Sequence, residues 1–265
     1  MHLKNFINII NLKKSFKNYK NAAPFDHCIC DNFFKEDFVE LLTKEFPSYN
    51  DDMWHEYNNP IEIKKTCNNW NSFKKNTYTA FSLLNSQEFI NILAKLAKIK
   101  FLYPDHGLNG GGLHIHRNGG KLNYHLDYDI HPKLYKQRKI NILIYLTPAW
   151  HVKYGGELGL FSHDKINNQP KKLIKKIIPR YNRAVFFDTT QNSWHGLVNK
   201  VNSKNNLCRT SMAIYYLTDP SSDITNRSKA LFAPTKSQKK NRKIINFIKK
   251  RASVDKVQKQ YIKIL

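Results

Sequence analysis

The sequence predicts an α+β protein in which a β-rich half is carried on a helical one. Three observations point there. From residue 101 to 235, short apolar or alternating runs recur between Gly-rich turns, the pattern of a sandwich or barrel. Ahead of them, two stretches repeat apolar residues at helical spacing. Behind them, the chain closes in a Lys- and Arg-rich run with its own helical stripe. The expected organisation is a basic N-terminal arm (1–22), a helical support region (23–100), a β core (101–235) and a basic C-terminal helical extension (236–265).

Composition narrows the class. The chain has 265 residues, 41% of them hydrophobic and 13% aromatic, which excludes a disordered composition and leaves room for a sizeable core. No apolar run reaches the roughly 18 residues of a membrane span. Residues 1–22 lack the continuous apolar stretch of a signal peptide, so a cytoplasmic location is expected. Cys28, Cys30, Cys67 and Cys208 read as reduced thiols, and Cys28-x-Cys30 matches no zinc spacing. A net charge of +24 invites an acidic partner such as nucleic acid. Lysine is spread over the whole chain, however, so the charge reads as compositional drift and nucleic-acid binding is not favoured.

Taken in order, residues 1–22 read as a loose basic arm or a short helix. Residues 25–30 alternate as a strand; Asp31 then looks like a helix N-cap, with Phe33, Phe34, Phe38, Leu41, Leu42 and Phe46 following at helical spacing up to Pro47. Residues 48–76 show no pattern and are expected to be irregular, and 79–99 returns to helix. Strands are expected at 113–116, around 122–128, at 140–146 (apolar enough to be buried on both faces), 158–161, 184–188 and 209–217. Asn118–Gly119–Gly120 is a hairpin signal, and 171–179 reads as a basic insert.

The chemistry centres on His125 and Asp127. Side chains two apart on a strand leave the same face, so an imidazole and a carboxylate point together there. His195, in Ser193–Trp194–His195–Gly196, is the natural third ligand, and two histidines with one carboxylate suit non-haem Fe(II). Arg209 and Ser211 share a later strand face, where a guanidinium fork and a hydroxyl suit a buried carboxylate. His106, His114, His116, His131, His151 and His163 are expected to be ordinary surface or core histidines, and Trp194 to be packing.

The order of these motifs resembles the Fe(II)/2-oxoglutarate-dependent dioxygenases of the prolyl 4-hydroxylase-like group. It runs His125-x-Asp127, then Tyr145–Leu146–Thr147, Gly155–Gly156–Glu157–Leu158, His195 and Arg209, within a similarity spanning about 25–220. The resemblance implies a double-stranded β-helix (jelly-roll or cupin-like) core, with His125, Asp127 and His195 binding Fe(II). It implies that Arg209 holds the far carboxylate of 2-oxoglutarate, helped by Tyr145 and Ser211, with Asn141 nearby. Thr147 stands in place of the usual Asn, and His116 in place of a tyrosine of the collagen-type enzymes. Asp129 shares the face of Asp127, but the H-x-D spacing favours Asp127.

The implied activity is hydroxylation of an unactivated C–H, of a prolyl or other protein side chain or of a small molecule. Fe(II), 2-oxoglutarate and O2 are its implied requirements, with ascorbate as an accessory, and 2-oxoglutarate would be decarboxylated to succinate. Two alternatives stand beside it: a nucleic-acid-modifying oxygenase, and a non-catalytic barrel holding structural Zn(II) on the same ligands.

Overall fold

A computed structural model describes residues 2–252 apart from 205, 223, 225 and 226. Its strands are β1 (His27–Cys30), β2 (His55–Asn58), β3 (Glu62–Cys67), β4 (Tyr103–Pro104), β5 (Gly112–His116), β6 (Lys121–Leu122) and β7 (His125–Leu126). They continue with β8 (Gln137–Tyr145), β9 (Leu158–Asp164), β10 (Gln169–Ile177), β11 (Arg183–Asp188), β12 (Trp194–Leu197), β13 (Arg209–Thr218) and β14 (Leu231–Phe232). The helices are α1 (Ile9–Ser15), α2 (Glu36–Glu45), α3 (Lys75–Leu84), α4 (Gln87–Ala97) and α5 (Arg242–Ala252).

All strand pairs are antiparallel. A nine-stranded sheet runs β1-β11-β8-β13-β5-β3-β2, with β4 on β13 and β6 on β3; a five-stranded sheet runs β10-β9-β12-β7-β14. The large sheet has two differently employed faces. Ile140, Ile142 and Ile144 of β8, Met212, Ile214 and Tyr216 of β13, and Ala184 and Phe186 of β11 join the helices in one core. The alternate residues, Asn141, Leu143 and Tyr145 of β8 with Ser211 and Tyr215 of β13, face the small sheet. Strand β8 is thus buried on both faces, which is why 140–146 reads as a nearly continuous apolar run.

Several expectations are corrected. The basic lead is no loose arm: Leu3, Ile7, Leu12, Phe16 and Tyr19 lie on one side of short helical segments and are buried in the main core, while the lysines take the solvent side. Asp31 is not an N-cap, since α2 starts at Glu36 behind Lys35. Its carboxylate instead accepts a two-pronged bond from Arg183 (Nη2–Oδ2 2.8 Å), tying the end of β1 to the start of β11. Residues 48–76 contain the β2–β3 hairpin, joined to the barrel wall through β5. Few of its residues are apolar, because the inner side covers a polar cavity, and so no hydrophobic period announces it.

The 79–99 helix is two helices, α3 and α4, broken at Asn85–Ser86, where Ser86 Oγ caps the Phe89 amide at 3.3 Å. The basic insert is β10, an edge strand of the small sheet, and lysines are what exposed edges carry against stray pairing. Of the basic extension, α5 is seen, and 253–265 lies outside the described residues. The four cysteines are free thiols. Among the described residues, no helix is long and apolar enough to cross a membrane.

Candidate active site

Between the two sheets lies a cavity of about 310 Å³, into which Asn141, His195, Arg209 and Ser211 all project. The small sheet supplies one wall. His125 on β7 and His195 on β12 are direct cross-strand partners, and Asp127 follows at the end of β7. One ligand atom from each of the three lies within 4.8 Å of the other two, and all three residues are buried. Trp194 faces the other way, into packing with Leu126 and Phe161, and donates its indole N–H to His163 Nδ1 at 3.0 Å. Phe187 packs its ring 4.7 Å from that of His195.

Both imidazoles are aimed by the backbone. His125 Nδ1 lies 3.0 Å from the Asn123 carbonyl and His195 Nδ1 lies 2.9 Å from the Ser193 carbonyl. A carbonyl only accepts, so each Nδ1 carries a proton and each Nε2 is the ring nitrogen left toward the cavity. The two Nε2 atoms flank Asp127, 3.6 Å from Oδ1 and 3.8 Å from Oδ2. Burial depresses the His195 pKa to about 4, aided by the neighbouring His125, so its ring is neutral at pH 7. For Asp127, burial raises the pKa, but His195, His125 and Arg138 outweigh it and hold the carboxyl well below the usual range. Neutral imidazoles and an ionised carboxylate are the forms that bind metal.

Asp127 is supported by residues the sequence reading missed. Tyr215 donates its hydroxyl to Oδ1 at 3.3 Å, and Arg138 Nη1 stands 3.8 Å from the same oxygen. The Arg138 guanidinium is clamped between the rings of Tyr128 and Tyr215, 3.3 and 3.5 Å from their centroids. Among the described residues, Oδ2 has no hydrogen-bond partner although buried. A buried oxygen left unpaired is costly unless something occupies the position, and this donor set suits Fe(II). Asp129 pairs instead with Arg227 at 2.7 Å.

Arg209 is 4% exposed and lines the same cavity. Its Nε donates to the Gly156 carbonyl at 2.8 Å, and its guanidinium carbon sits 4.8 Å from the Tyr145 ring centroid. This explains the second glycine of the G-G-x-L motif. Gly156 has φ +68°, and a Cβ there would come within 2.9 Å of Arg209 Cδ. Ser211 and Asn141 also line the cavity, whereas Tyr145 lies behind Arg209, outside the lining. Among the described residues, Asn141 Oδ1 and both nitrogens of His116 are buried without hydrogen-bond partners. His116 is opposite Arg209 on β5, and His114 beside it also lines the cavity, so neither is an ordinary core histidine. Burial keeps both neutral, with His114 lowered to about 3. Unpaired donors and acceptors around a buried guanidinium fit a dicarboxylate. Thr147 takes no part: its hydroxyl donates to the Cys208 carbonyl, fixing the end of β8 to β13.

Comparison with known proteins agrees with this geometry. Residues 111–217 match the model of the 2OG-Fe(II) oxygenase superfamily. The chain is 30% identical over 173 residues to prolyl 3-hydroxylase OGFOD1 of Mus musculus, covering 65% of this chain and 29% of that protein. It is 38% identical over 58 residues to the Xenopus laevis protein of the same name, covering 22% and 11%. The chain therefore spans under a third of the length of these curated relatives. In fold it is similar to a Trichoplax adhaerens prolyl hydroxylase solved with a hypoxia-inducible-factor peptide (TM-score 0.53, 17% identity, 78% of this chain and 89% of that one). It is also similar to a prolyl 4-hydroxylase of Phytophthora capsici (TM-score 0.55, 19% identity, 91% and 72%). These likenesses bear out the jelly-roll core and favour neither the nucleic-acid-modifying nor the structural-zinc alternative.

Proposed function

We propose that this chain, a 2OG-Fe(II) oxygenase of the prolyl-hydroxylase-like group through its residues 111–217, hydroxylates a side chain of a protein or peptide, with a prolyl residue as the first candidate. One observation supports it above the rest. A 2-His-1-carboxylate set with its Nε2 atoms free and a buried arginine among unpaired polar atoms belong to one cavity. The protein and prolyl parts of the reading draw on the named relatives.

In this reading His125, Asp127 and His195 hold Fe(II). Arg209, with Ser211, Asn141 and His116 around it and Tyr145 behind it, holds 2-oxoglutarate. Bound together with O2, these supply oxidation of an unactivated C–H, with 2-oxoglutarate leaving as succinate and CO2. The chain's own work is placement. The Asn123 and Ser193 carbonyls fix the imidazole tautomers, and Tyr215 and Arg138 fix one oxygen of Asp127 while leaving the other to the cavity. Leu143, Leu158 and Leu197 line the same cavity and give it apolar wall that keeps it poor in water. The test is succinate release from 2-oxoglutarate with Fe(II), comparing wild type with His125→Ala and Arg209→Ala. Turnover confined to wild type is expected; equal turnover in all three rejects the reading.

A further inference from the structure

The mouth of the cavity holds a charged cluster that the proposed reaction leaves unused. Glu62, on β3, is 2% exposed yet lines the cavity. Its Oε2 lies 3.3 Å from Lys64 Nζ, and its Oε1 accepts a 2.6 Å bond from Arg251 Nη2. Arg251 comes from the far end of α5. Its guanidinium carbon lies 5.6 Å from the Tyr57 ring centroid and 5.8 Å from that of Phe232. Phe232 in turn stacks on His125, centroids 5.0 Å apart at 23°. A single ring thus separates this guanidinium from a candidate metal ligand.

A carboxylate oxygen with two aromatic rings beside it is the chemistry that prefers a planar guanidinium over an ammonium or a neutral side chain. Burial would raise the Glu62 pKa, but Lys64 and Arg251 outweigh it, so the carboxylate is ionised at neutral pH. Helix α5 has a second hold besides this contact, because Ile248 packs with Ile61 and Phe232. Burying an acid in the wall of a reaction cavity costs more than a surface latch would.

We infer that Glu62, Tyr57 and Phe232 form a guanidinium subsite, which holds an arginine side chain of the peptide next to the residue oxidised and which Arg251 fills as an intramolecular competitor. The role of the subsite in substrate choice rests on the oxygenase reading; its binding chemistry does not.

The test titrates the full chain, followed by NMR, with Nα-acetyl-L-arginine methylamide and with the matching lysine and citrulline compounds. Arg251→Ala is expected to bind the arginine probe about tenfold tighter than wild type and about tenfold tighter than it binds citrulline, the size of one charge-assisted hydrogen bond. Adding Glu62→Gln should erase that preference. If Arg251→Ala binds all three probes alike, the pair only anchors α5 and the subsite is overturned. Arg251→Gln, which keeps length and polarity, repeats the measurement should Arg251→Ala fail to fold. No turnover is needed, so a negative result here is separate from a negative succinate assay.

Discussion

His125 and His195 face each other as direct cross-strand partners, ring centroids 4.3 Å apart. The ladder that aligns them is short: this is the single registered pair between β7 and β12, and β7 has two residues. Two ligands far apart in the chain are thus brought together by very little backbone pairing, and the buried Asp127 between them keeps an unpaired oxygen.

A divalent ion bound there should therefore tie β7 to β12. Saturation at about 100 times the dissociation constant stabilises the folded state by about 2.7 kcal/mol, or about 5–10 °C in melting temperature for a chain of this size. Thermal unfolding with and without Mn(II) measures it, and a chelator should reverse it. Asp127→Ala should lose most of the shift; an undiminished shift in that variant places the ion elsewhere.

Arg209 donates through Nε to the Gly156 carbonyl, and its guanidinium stands beside Tyr145 in the residues that line and back the cavity. Charge-assisted bonds contribute about 1.5–3 kcal/mol, so Arg209→Ala should raise the KM for 2-oxoglutarate by about 10- to 150-fold. Arg209→Lys should recover part of this, since a point charge replaces the charge but not the fork. Steady-state succinate assays give both values. An unchanged KM in Arg209→Ala removes Arg209 from the cosubstrate slot.

The Asp31–Arg183 bridge sets a pH dependence. Hydrogen bonding from Arg183 lowers the Asp31 pKa below its unfolded value, so the bridge stabilises fully above about pH 4 and is lost as pH falls through the folded value. Asp31 is half exposed, which limits the contribution to about 1 kcal/mol or less. Asp31→Asn should reduce stability to urea by that amount at pH 7 and by less as the pH falls below about 4. A loss that stays the same as the pH is lowered would show that the bridge does not titrate with folding.

What the sequence made legible follows from where apolar side chains go. Strands β8, β11 and β13 bury both faces, so their composition announced them, and Arg209 opens β13; the H-x-D pair and His195 lie on β7 and β12 of the other sheet, short strands legible through their motifs. The β2–β3 hairpin and β10 were hidden because one covers a polar cavity and the other is an exposed edge, and neither carries an apolar period. Arg138 and Tyr215 were hidden for another reason. Tyr215 sits in a run whose neighbours are core residues and Arg138 in the polar run Lys136–Gln137–Arg138–Lys139, and only the fold shows that they turn toward Asp127. The two tyrosines Tyr215 and Tyr216, adjacent on a strand that reads as apolar, could have raised the question of which one faces inward.

That pair gives the sharpest internal control. Tyr215 donates to Asp127 Oδ1 at 3.3 Å, while Tyr216, on the opposite face, donates to the Leu84 carbonyl at 2.7 Å inside the helical core. Removing either hydroxyl deletes one buried bond, worth about 1 kcal/mol of stability. Only Tyr215→Phe also frees the carboxylate from its orienting partner, and loss of such a partner costs about 10- to 100-fold in metal affinity or activity. Tyr215→Phe should thus weaken Mn(II) binding by at least about tenfold, and Tyr216→Phe should lower urea resistance with Mn(II) affinity intact. Metal titration and urea unfolding on both variants separate the two roles. Equal Mn(II) affinity in the two would mean that the packing of Arg138 alone suffices to orient Asp127.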